Sequence, residues 1–404
     1  MDKPIHILLV TSKFPRWQGD PQPPFTYDYA KALVKEGCSV TVIAPHAKGA
    51  KKKETFEGIT VYRFKYFFPE SKQCLAYGPG IPANLRNSFL AKIQAPIFML
   101  AQAIFVRRMI KKIKPDIVHA HWAFPQGFSA WLSGKPYITT VFGGEVFLSK
   151  NMKIVGLMDH VLKKSKKNFV ITNGLRNIMR GFGFKAELDV IPLGVDTDKF
   201  KPNVEGFETI KEKYCPKSEK FILSVGRLVE KKGHCYLLDA FSSVLKELPQ
   251  CKLIIVGDGP FYGDLVKQSE KLGITENVVF TKEINHSELP KYYAASDLFV
   301  LPSIVDSTGN RETQGVVYLE AMASRVPVIG TNTGGIPDVI TDGDVGYMVE
   351  EKNSEVLAKA MLQILQDDAL RKTMGDNAFS RVEKYFIWQE IAKRYVKEYE
   401  KLLS

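Results

Sequence analysis

The chain has 404 residues, 45% hydrophobic and 25% charged, enough for two ordinary domains with real cores. Its five cysteines (Cys38, Cys74, Cys215, Cys235 and Cys251) are odd in number, scattered and never in a C-x-x-C pair. That argues against a disulfide framework or a zinc site and suits a reducing cytoplasm. The net charge of +12 is lopsided: residues 1–200 carry 30 Lys+Arg against 14 Asp+Glu, a net +16, and residues 201–404 carry 26 against 30, a net −4.

The opening MDKPIHILLV runs straight into a strand, with no charged leader and no small-residue cleavage site, so export is not expected. Through the first half IHILLVT, CSVTVIAP, DIVHAHW, PYITTVF and KNFVITN read as strands. Amphipathic helices such as FTYDYAKALVKEG stand between them. Basic clusters occur at Lys51–Lys53, at Arg107, Arg108, Lys111, Lys112 and Lys114, and at Lys163, Lys164, Lys166 and Lys167. Each alone reads as a solvated helix face, but three in one half point toward a polyanion or an anionic lipid surface. Residues 88–113, SFLAKIQAPIFMLAQAIFVRRMIKKI, join an apolar run to a basic end; Lys92, Gln94 and Gln102 interrupt the run, so it falls short of a clean spanning segment. Two readings stay open for it: an interfacial helix beside an acceptor site, or a core helix with a solvated basic end.

Near IPLGVDTDKFKPN, residues 191–203, Pro and Gly interrupt the pattern, which divides the chain into 1–195 and 196–384. Beyond it FILSVGR, CKLIIVGD, NVVFTKE, LFVLPS and VPVIGTN repeat the alternation. The expected fold is α/β, with two Rossmann-like, doubly wound parallel-sheet domains whose strand ends and loops face a central cleft.

The loops carry the chemistry. GDGPFYG follows a strand, but its glycines are spaced G-x-G-x-x-x-G with Pro260 among them, so it reads as a strand-to-helix turn with Pro in the first helical turn. DTD (Asp196 to Asp198) and DGD (Asp342 to Asp344) read as turn chemistry rather than a metal D-x-D. His119 and His121 in VHAHW lie on one side of a strand end with no third ligand evident. SVGRLVEKKG offers Arg227, Lys231, Lys232 and Gly233 at the mouth of a helix, a cationic and N–H-rich setting for a diphosphate. In NRETQGVVYLEAMAS, Glu312 stays in a loop while Glu320 lies inside a helix starting near Gly315. The competing reading makes Val316, Val317, Leu319 and Ala323 a plain core-facing stripe, with both glutamates in water. Read as a site, Glu320 suits a ribose and Glu312 a transferred sugar, since carboxylates accept from hydroxyl pairs.

VGRLVEKKG, VGDGP, the spaced glutamates of RETQGVVYLEAMAS, VPVIGTNTGGIPDVI, DGDVGYMV and IPLGVDTDKFKP together resemble, in order and spacing, the retaining GT-B glycosyltransferases of family GT4. The resemblance covers nearly the whole chain. It implies a nucleoside diphosphate sugar donor in the C-terminal half, a glycan or lipid-linked acceptor on the N-terminal half, and neither a catalytic metal nor a cofactor. Arg227 and Lys232 then look like diphosphate ligands, Glu320 the ribose ligand and Glu312 the sugar ligand, with Arg227, Lys232 and Glu312 carrying catalysis. Thr313, Gln314, Gly315 and Val316 line the donor, and backbone around Lys282 to Ile284 meets the base. A C-terminal helix, residues 385–404, crosses back onto the first domain. Two departures stand out. The family's Gly-Gly loop is WQGDPQPPF here, keeping Gly19 with Asp20 at the second position. The usual His-Gly-x-Asp/Glu is VFGGEVF, with Phe142 for the histidine, then Gly143, and Glu145 at the acidic position.

A phenyl ring at Phe142 cannot donate to a sugar hydroxyl. Either the donor sugar lacks a C6 hydroxyl or carries an apolar-tolerant group there, or Phe142 only packs and His119 or His121 supplies the contact. Transfer with retention stays feasible, because in the usual proposal the donor phosphate takes the acceptor proton. Rival readings are a non-catalytic nucleotide-sugar-binding protein, a nucleotide-sugar epimerase of the same architecture, and an oxidoreductase, for which no true dinucleotide fingerprint follows the first strand. The expected setting is cytoplasmic, peripheral on the inner face of an anionic membrane, with no nucleic-acid partner.

Overall fold

The computed structural model describes residues 3–20, 25–78, 80–216 and 219–404, so Pro21 to Pro24 of the WQGDPQPPF loop fall outside the described residues. The chain forms two compact units, one of Met1–Pro192 with Trp388–Ser404, the other of Leu193–Ile387.

Unit 1 is built on β1 (His6–Val10), β2 (Ser39–Pro45), β3 (Lys53–Phe56), β4 (Ile59–Phe64), β5 (Ile117–His121), β6 (Ile138–Val141), β7 (Lys167–Val170) and β8 (Asp189–Val190). Their order in the sheet is β3-β4-β2-β1-β5-β6-β7-β8. Every pairing is parallel except β3 with β4. Central strands such as β5 and β6 are buried along their whole length, as a sheet covered on both faces requires. The strand order reverses between β1 and β5, which opens a crevice at their carboxyl ends.

The helix Trp388–Leu403 belongs to this unit and sends Tyr395 and Tyr399 into its interior. There the His119 ring accepts or donates at both nitrogens, Nδ1 lying 2.7 Å from the Tyr399 hydroxyl and Nε2 2.8 Å from Thr140 Oγ1. Tyr29 joins the same cluster, 2.5 Å from the Tyr399 hydroxyl. Burial pushes His119 down to about 3 and lowers His121 as well, so both imidazoles are neutral parts of the core.

Unit 2 holds β9 (Lys220–Val225), β10 (Cys251–Val256), β11 (Val278–Lys282), β12 (Leu298–Val300), β13 (Val328–Thr331) and β14 (Gly346–Val349). The order is β11-β10-β9-β12-β13-β14, parallel throughout, with the reversal between β9 and β12. The helices His234–Glu247 and Ser354–Gln366 bury Leu237, Leu238, Phe241, Leu357 and Met361 against this sheet.

Among the described residues, ten of the fourteen strands correspond to apolar runs readable in the sequence. Four were not predicted: the β3–β4 hairpin, whose polar edge strand half-exposes its residues, and the short β8 and β14. Pro260 also differs from expectation, since the helix Tyr262–Lys271 begins two residues later with Phe261 at its cap.

Candidate functional site

In unit 2 the loops after β9 and β12 meet at the sheet's reversal point. The chain leaves β9 through Gly226, Arg227 and Leu228. Leu228 is buried and tied to the next loop, its N–H donating to Asp258 O and its carbonyl accepting from Phe261 N. Arg227 is thereby held exposed, and it makes no ion pair with a described residue. A turn over Glu230–Lys232 leads to Gly233, whose φ of +66° caps the helix His234–Glu247. A Cβ at Gly233 would stand 2.0 Å from the Pro302 carbonyl oxygen, so only glycine lets the two loops approach. The first amides of that helix have no intrahelical acceptor and carry its positive dipole end.

Gly315 repeats the device. Its φ is +79°, a Cβ there would meet the Tyr318 ring at 2.6 Å, and the helix Val316–Ala323 starts from it. Glu312 sits in the loop before it, 8% exposed, with its carboxylate 2.5 Å from Lys232 Nζ and accepting from Thr313 N at 3.1 Å. Burial favours the neutral acid, but Lys232 and Lys231 outweigh it and hold Glu312 down at about 2, fully ionised at neutral pH. The Glu312 carbonyl accepts from Gly335 N, which fixes the loop.

Glu320 lies inside the helix, 7% exposed, and accepts from the Tyr293 hydroxyl at 2.7 Å. Its other oxygen faces His286 Nε2 at 3.9 Å, while Lys199 Nζ is 2.5 Å from His286 Nδ1. An ammonium can only donate, so Nδ1 is the acceptor and the ring proton belongs on Nε2, toward Glu320. Burial and Lys199 push His286 down to about 4, so the ring is neutral. The reading of a core-facing stripe with both glutamates in water is thus overturned: Tyr318 to Ala323 are all buried, Val316 and Val317 only half-buried, and both carboxylates are buried and partnered.

The remaining unit 2 candidates divide. Val316 opens the helix beside Thr313. Gln314 braces the loop with its side chain, whose buried amide accepts from Leu193 N and donates to Leu193 O, at 2.8 and 2.9 Å. Lys282 has φ of +60°, and its carbonyl already accepts from Gly257 N and Thr281 Oγ1. Ile284 packs its side chain on the core, which leaves only main chain there for a base. Tyr293, His286 and Lys199 were missed, since nothing local marks side chains that reach Glu320 from 27 and 34 positions away, or a lysine that reaches His286 from 87.

Unit 1 holds the other four. Gly19 (φ +82°) closes a turn with Asp20, whose N–H donates to Trp17 O. The Asp20 carboxylate takes the Arg16 N–H at 2.6 Å and its guanidinium at 2.8 Å on each oxygen. The residue at the second glycine position therefore locks the loop through an ion pair. Phe142 is packed among Trp122, His121 and Phe25, with ring centroids 4.9, 5.1 and 5.2 Å away. Of the two histidines, His119 spends both ring nitrogens on Tyr399 and Thr140, whereas His121, buried against Phe142, has no hydrogen-bond partner at either nitrogen among the described residues. Gly143 caps the helix Gly144–Asn151. Glu145 accepts from Phe142 N at 3.1 Å and Gly143 N at 3.0 Å, one on each oxygen, and burial raises it to about 7.

Comparison with known proteins bears on both units. Residues 207–381 match the family described as "Glycosyl transferases group 1", and residues 24–199 match "Glycosyltransferase Family 4". The chain is 35% identical over 195 residues to the GDP-mannose-dependent alpha-(1-6)-phosphatidylinositol monomannoside mannosyltransferase of Mycolicibacterium smegmatis. That match covers 48% of this chain and 51% of the relative, about half of each. The N-acetyl-alpha-D-glucosaminyl L-malate synthase of Bacillus anthracis is 29% identical over 75% of this chain and 79% of its own. The sucrose-phosphate synthase of Thermosynechococcus elongatus superposes with a TM-score of 0.76 over 98% of both chains at 21% identity, which establishes a shared GT-B fold.

Proposed function

The chain belongs to the group 1, family 4 glycosyltransferases, and on that premise we propose that it moves a sugar from a nucleoside diphosphate sugar held by unit 2 to a glycan or lipid-linked acceptor held by unit 1. The reaction proposed is retaining and metal-free, and its setting is the cytoplasmic side of an anionic membrane. The observation that carries the reading is the ion pair of half-buried Lys232 with buried Glu312 between two glycine-started helices at the reversal point of the unit 2 sheet. Helix amides with Arg227 and Lys232 suit a diphosphate, whose charge grows as the sugar leaves. Glu312, ionised and held rigidly, suits the sugar's hydroxyls, and Glu320, oriented by Tyr293, suits the ribose pair.

In the step proposed, the bond from the anomeric carbon to the phosphate oxygen breaks and the acceptor oxygen bonds the same face. The acceptor proton passes to the departing phosphate. The aspartates that could suggest a metal are engaged locally: Asp196 Oδ1 accepts from Asp198 N and Lys199 N, and Asp342 Oδ1 from Met348 N. The mannosyltransferase relative, named for GDP-mannose and a phosphatidylinositol glycolipid, supports the donor and acceptor classes.

The test is calorimetric titration with a panel of nucleoside diphosphates, then turnover of the matching nucleotide sugars with and without excess EDTA. One diphosphate should bind with Kd between about 1 μM and 1 mM, and turnover should survive EDTA. A folded protein that binds none of the panel overturns the donor site, and strict dependence on Mg²⁺ or Mn²⁺ overturns the metal-free step.

A further inference from the structure

Unit 1 contains a cavity of about 750 Å³ that the donor chemistry leaves unused. It lies at the carboxyl end of the sheet, with Ser12 following β1, Trp122 to Gln126 following β5, and Glu145 in the helix after β6. Its volume is that of a small-molecule site, but Leu75, Leu85, Phe98, Met99 and Leu148 give it a hydrocarbon wall with few converging polar groups. Arg86 and Lys92 are the cations that reach it, and both are exposed to solvent, at its mouth.

The helix Phe89–Ile113 forms one side. Phe89, Ile93, Ile97, Leu100 and Ile104 are all exposed and follow one another by four, four, three and four positions, a single stripe on a 3.6-residue helix. Ala91, Phe98, Val106 and Met109 occupy the opposite side in the core, so the helix is anchored in unit 1 with one apolar face left open. Pro96 is both exposed and part of the cavity lining, so stripe and cavity adjoin there. Past Ile104 the same surface turns basic, with Arg107, Arg108, Lys111 and Lys112 exposed.

We propose that this cavity receives the hydrocarbon chain of an anionic lipid acceptor, whose phosphate meets Arg86 and Lys92 while the stripe rests on the lipid surface the chain comes from. The apolar wall selects a chain, the cations at the mouth select a negative headgroup, and the continuous stripe provides a path that keeps the chain out of water. The inference rests on the reading that unit 1 holds the acceptor. Acyl lipids and isoprenoid phosphates share this chemistry.

The experiment is calorimetry of the full chain with octyl, decyl and dodecyl phosphate below their micelle concentrations, with farnesyl phosphate, octanol and inorganic phosphate, and with nucleoside diphosphates on the same samples. Affinity should rise about tenfold for each two methylenes added, and octyl phosphate should bind more tightly than octanol or inorganic phosphate. Filling the cavity with Ala95→Trp should weaken dodecyl phosphate at least tenfold while nucleoside diphosphate binding is kept, which also reports folding. Arg86→Ala with Lys92→Ala, both at exposed positions, should remove the preference for octyl phosphate over octanol. A tighter farnesyl phosphate assigns the isoprenoid source and a tighter dodecyl phosphate the acyl one. Affinity independent of chain length, or unchanged in both variants, overturns the proposal. If nucleoside diphosphate binds and alkyl phosphate does not, the cavity inference falls alone; if alkyl phosphate binds and no nucleoside diphosphate does, the donor reading falls alone.

Discussion

The two units place loops at the same point of the same fold and equip them oppositely. In unit 2 the loops beyond the strand reversal carry buried charges, each with a partner: Glu312 with Lys232, and Glu320 with Tyr293. In unit 1 the corresponding loops carry the rings of Trp122 and Phe142, and their acid, Glu145, caps a helix and is pushed up toward neutrality. Topology supplies the position, and side chains decide whether it reads charge or apolar surface. A buried ion pair is weak evidence for stability, because hydrophobic residues of like volume often do as well. Stability alone therefore does not account for the Lys232–Glu312 pair.

The largest expected effect tests that contrast at Lys232. Lys232→Ala strands the Glu312 carboxylate and should cost unit 2 about 3–5 kcal/mol in urea unfolding, along with about 10²-fold or more in turnover. Lys232→Met combined with Glu312→Gln should recover most of the stability and none of the activity. Full activity in Lys232→Ala would show that the pair does not serve the donor.

Glu145 offers a pH test with the opposite sign to Glu312. Its folded value is raised from 4.5 to about 7, so the folded state binds more protons between those values and its contribution to stability falls as pH rises from about 4.5 through 7. Glu312 is depressed from 4.5 to about 2, so its contribution is present above pH 4.5 and is lost as pH falls toward 2. Unfolding free energies from urea titrations between pH 5 and 8 should decline in the wild type relative to Glu145→Gln by up to about 3 kcal/mol. Parallel profiles would mean that Glu145 is already ionised at pH 5.

Tyr293→Phe comes next, removing the donor to buried Glu320 at a cost of about 1–3 kcal/mol, with a rise in KM for the donor in initial-rate assays. An unchanged KM would separate Glu320 from the ribose. The smallest change in stability belongs to the exposed stripe. Ile97→Ser with Leu100→Ser should stay within about 0.5 kcal/mol per site, yet reduce flotation with anionic vesicles. Salt should weaken the wild-type binding, because the basic end of the helix contributes through screened charges. Wild-type protein that fails to float at low salt would remove the membrane from the account.

The alternation of strands and helices was legible because parallel strands buried on both faces read as unbroken apolar runs, as in LLV of β1 and LIIV of β10. The β3–β4 hairpin escaped because an edge strand such as KETF, alternately exposed and half-buried, carries no such run. The start of the helix at Gly315 and the placement of Glu312 outside it were also written locally, in glycine and the apolar run that follows.

What the sequence by itself determined was therefore the class of fold, the order of its main buried strands and the residue types at each loop, all of which follow from periodicity and turn chemistry over a few positions. Tertiary structure alone decided the state of those residues. Only the packed unit brings Lys232 to Glu312 across 80 positions, turns Gln314 onto Leu193, and carries Tyr399 to His119 across 280. Only the packed unit makes one glutamate a fixed anion, through the lysines gathered around it, and raises another to about 7 through burial, since ionisation depends on the water removed and the charges around each carboxylate, and neither quantity is local in the chain.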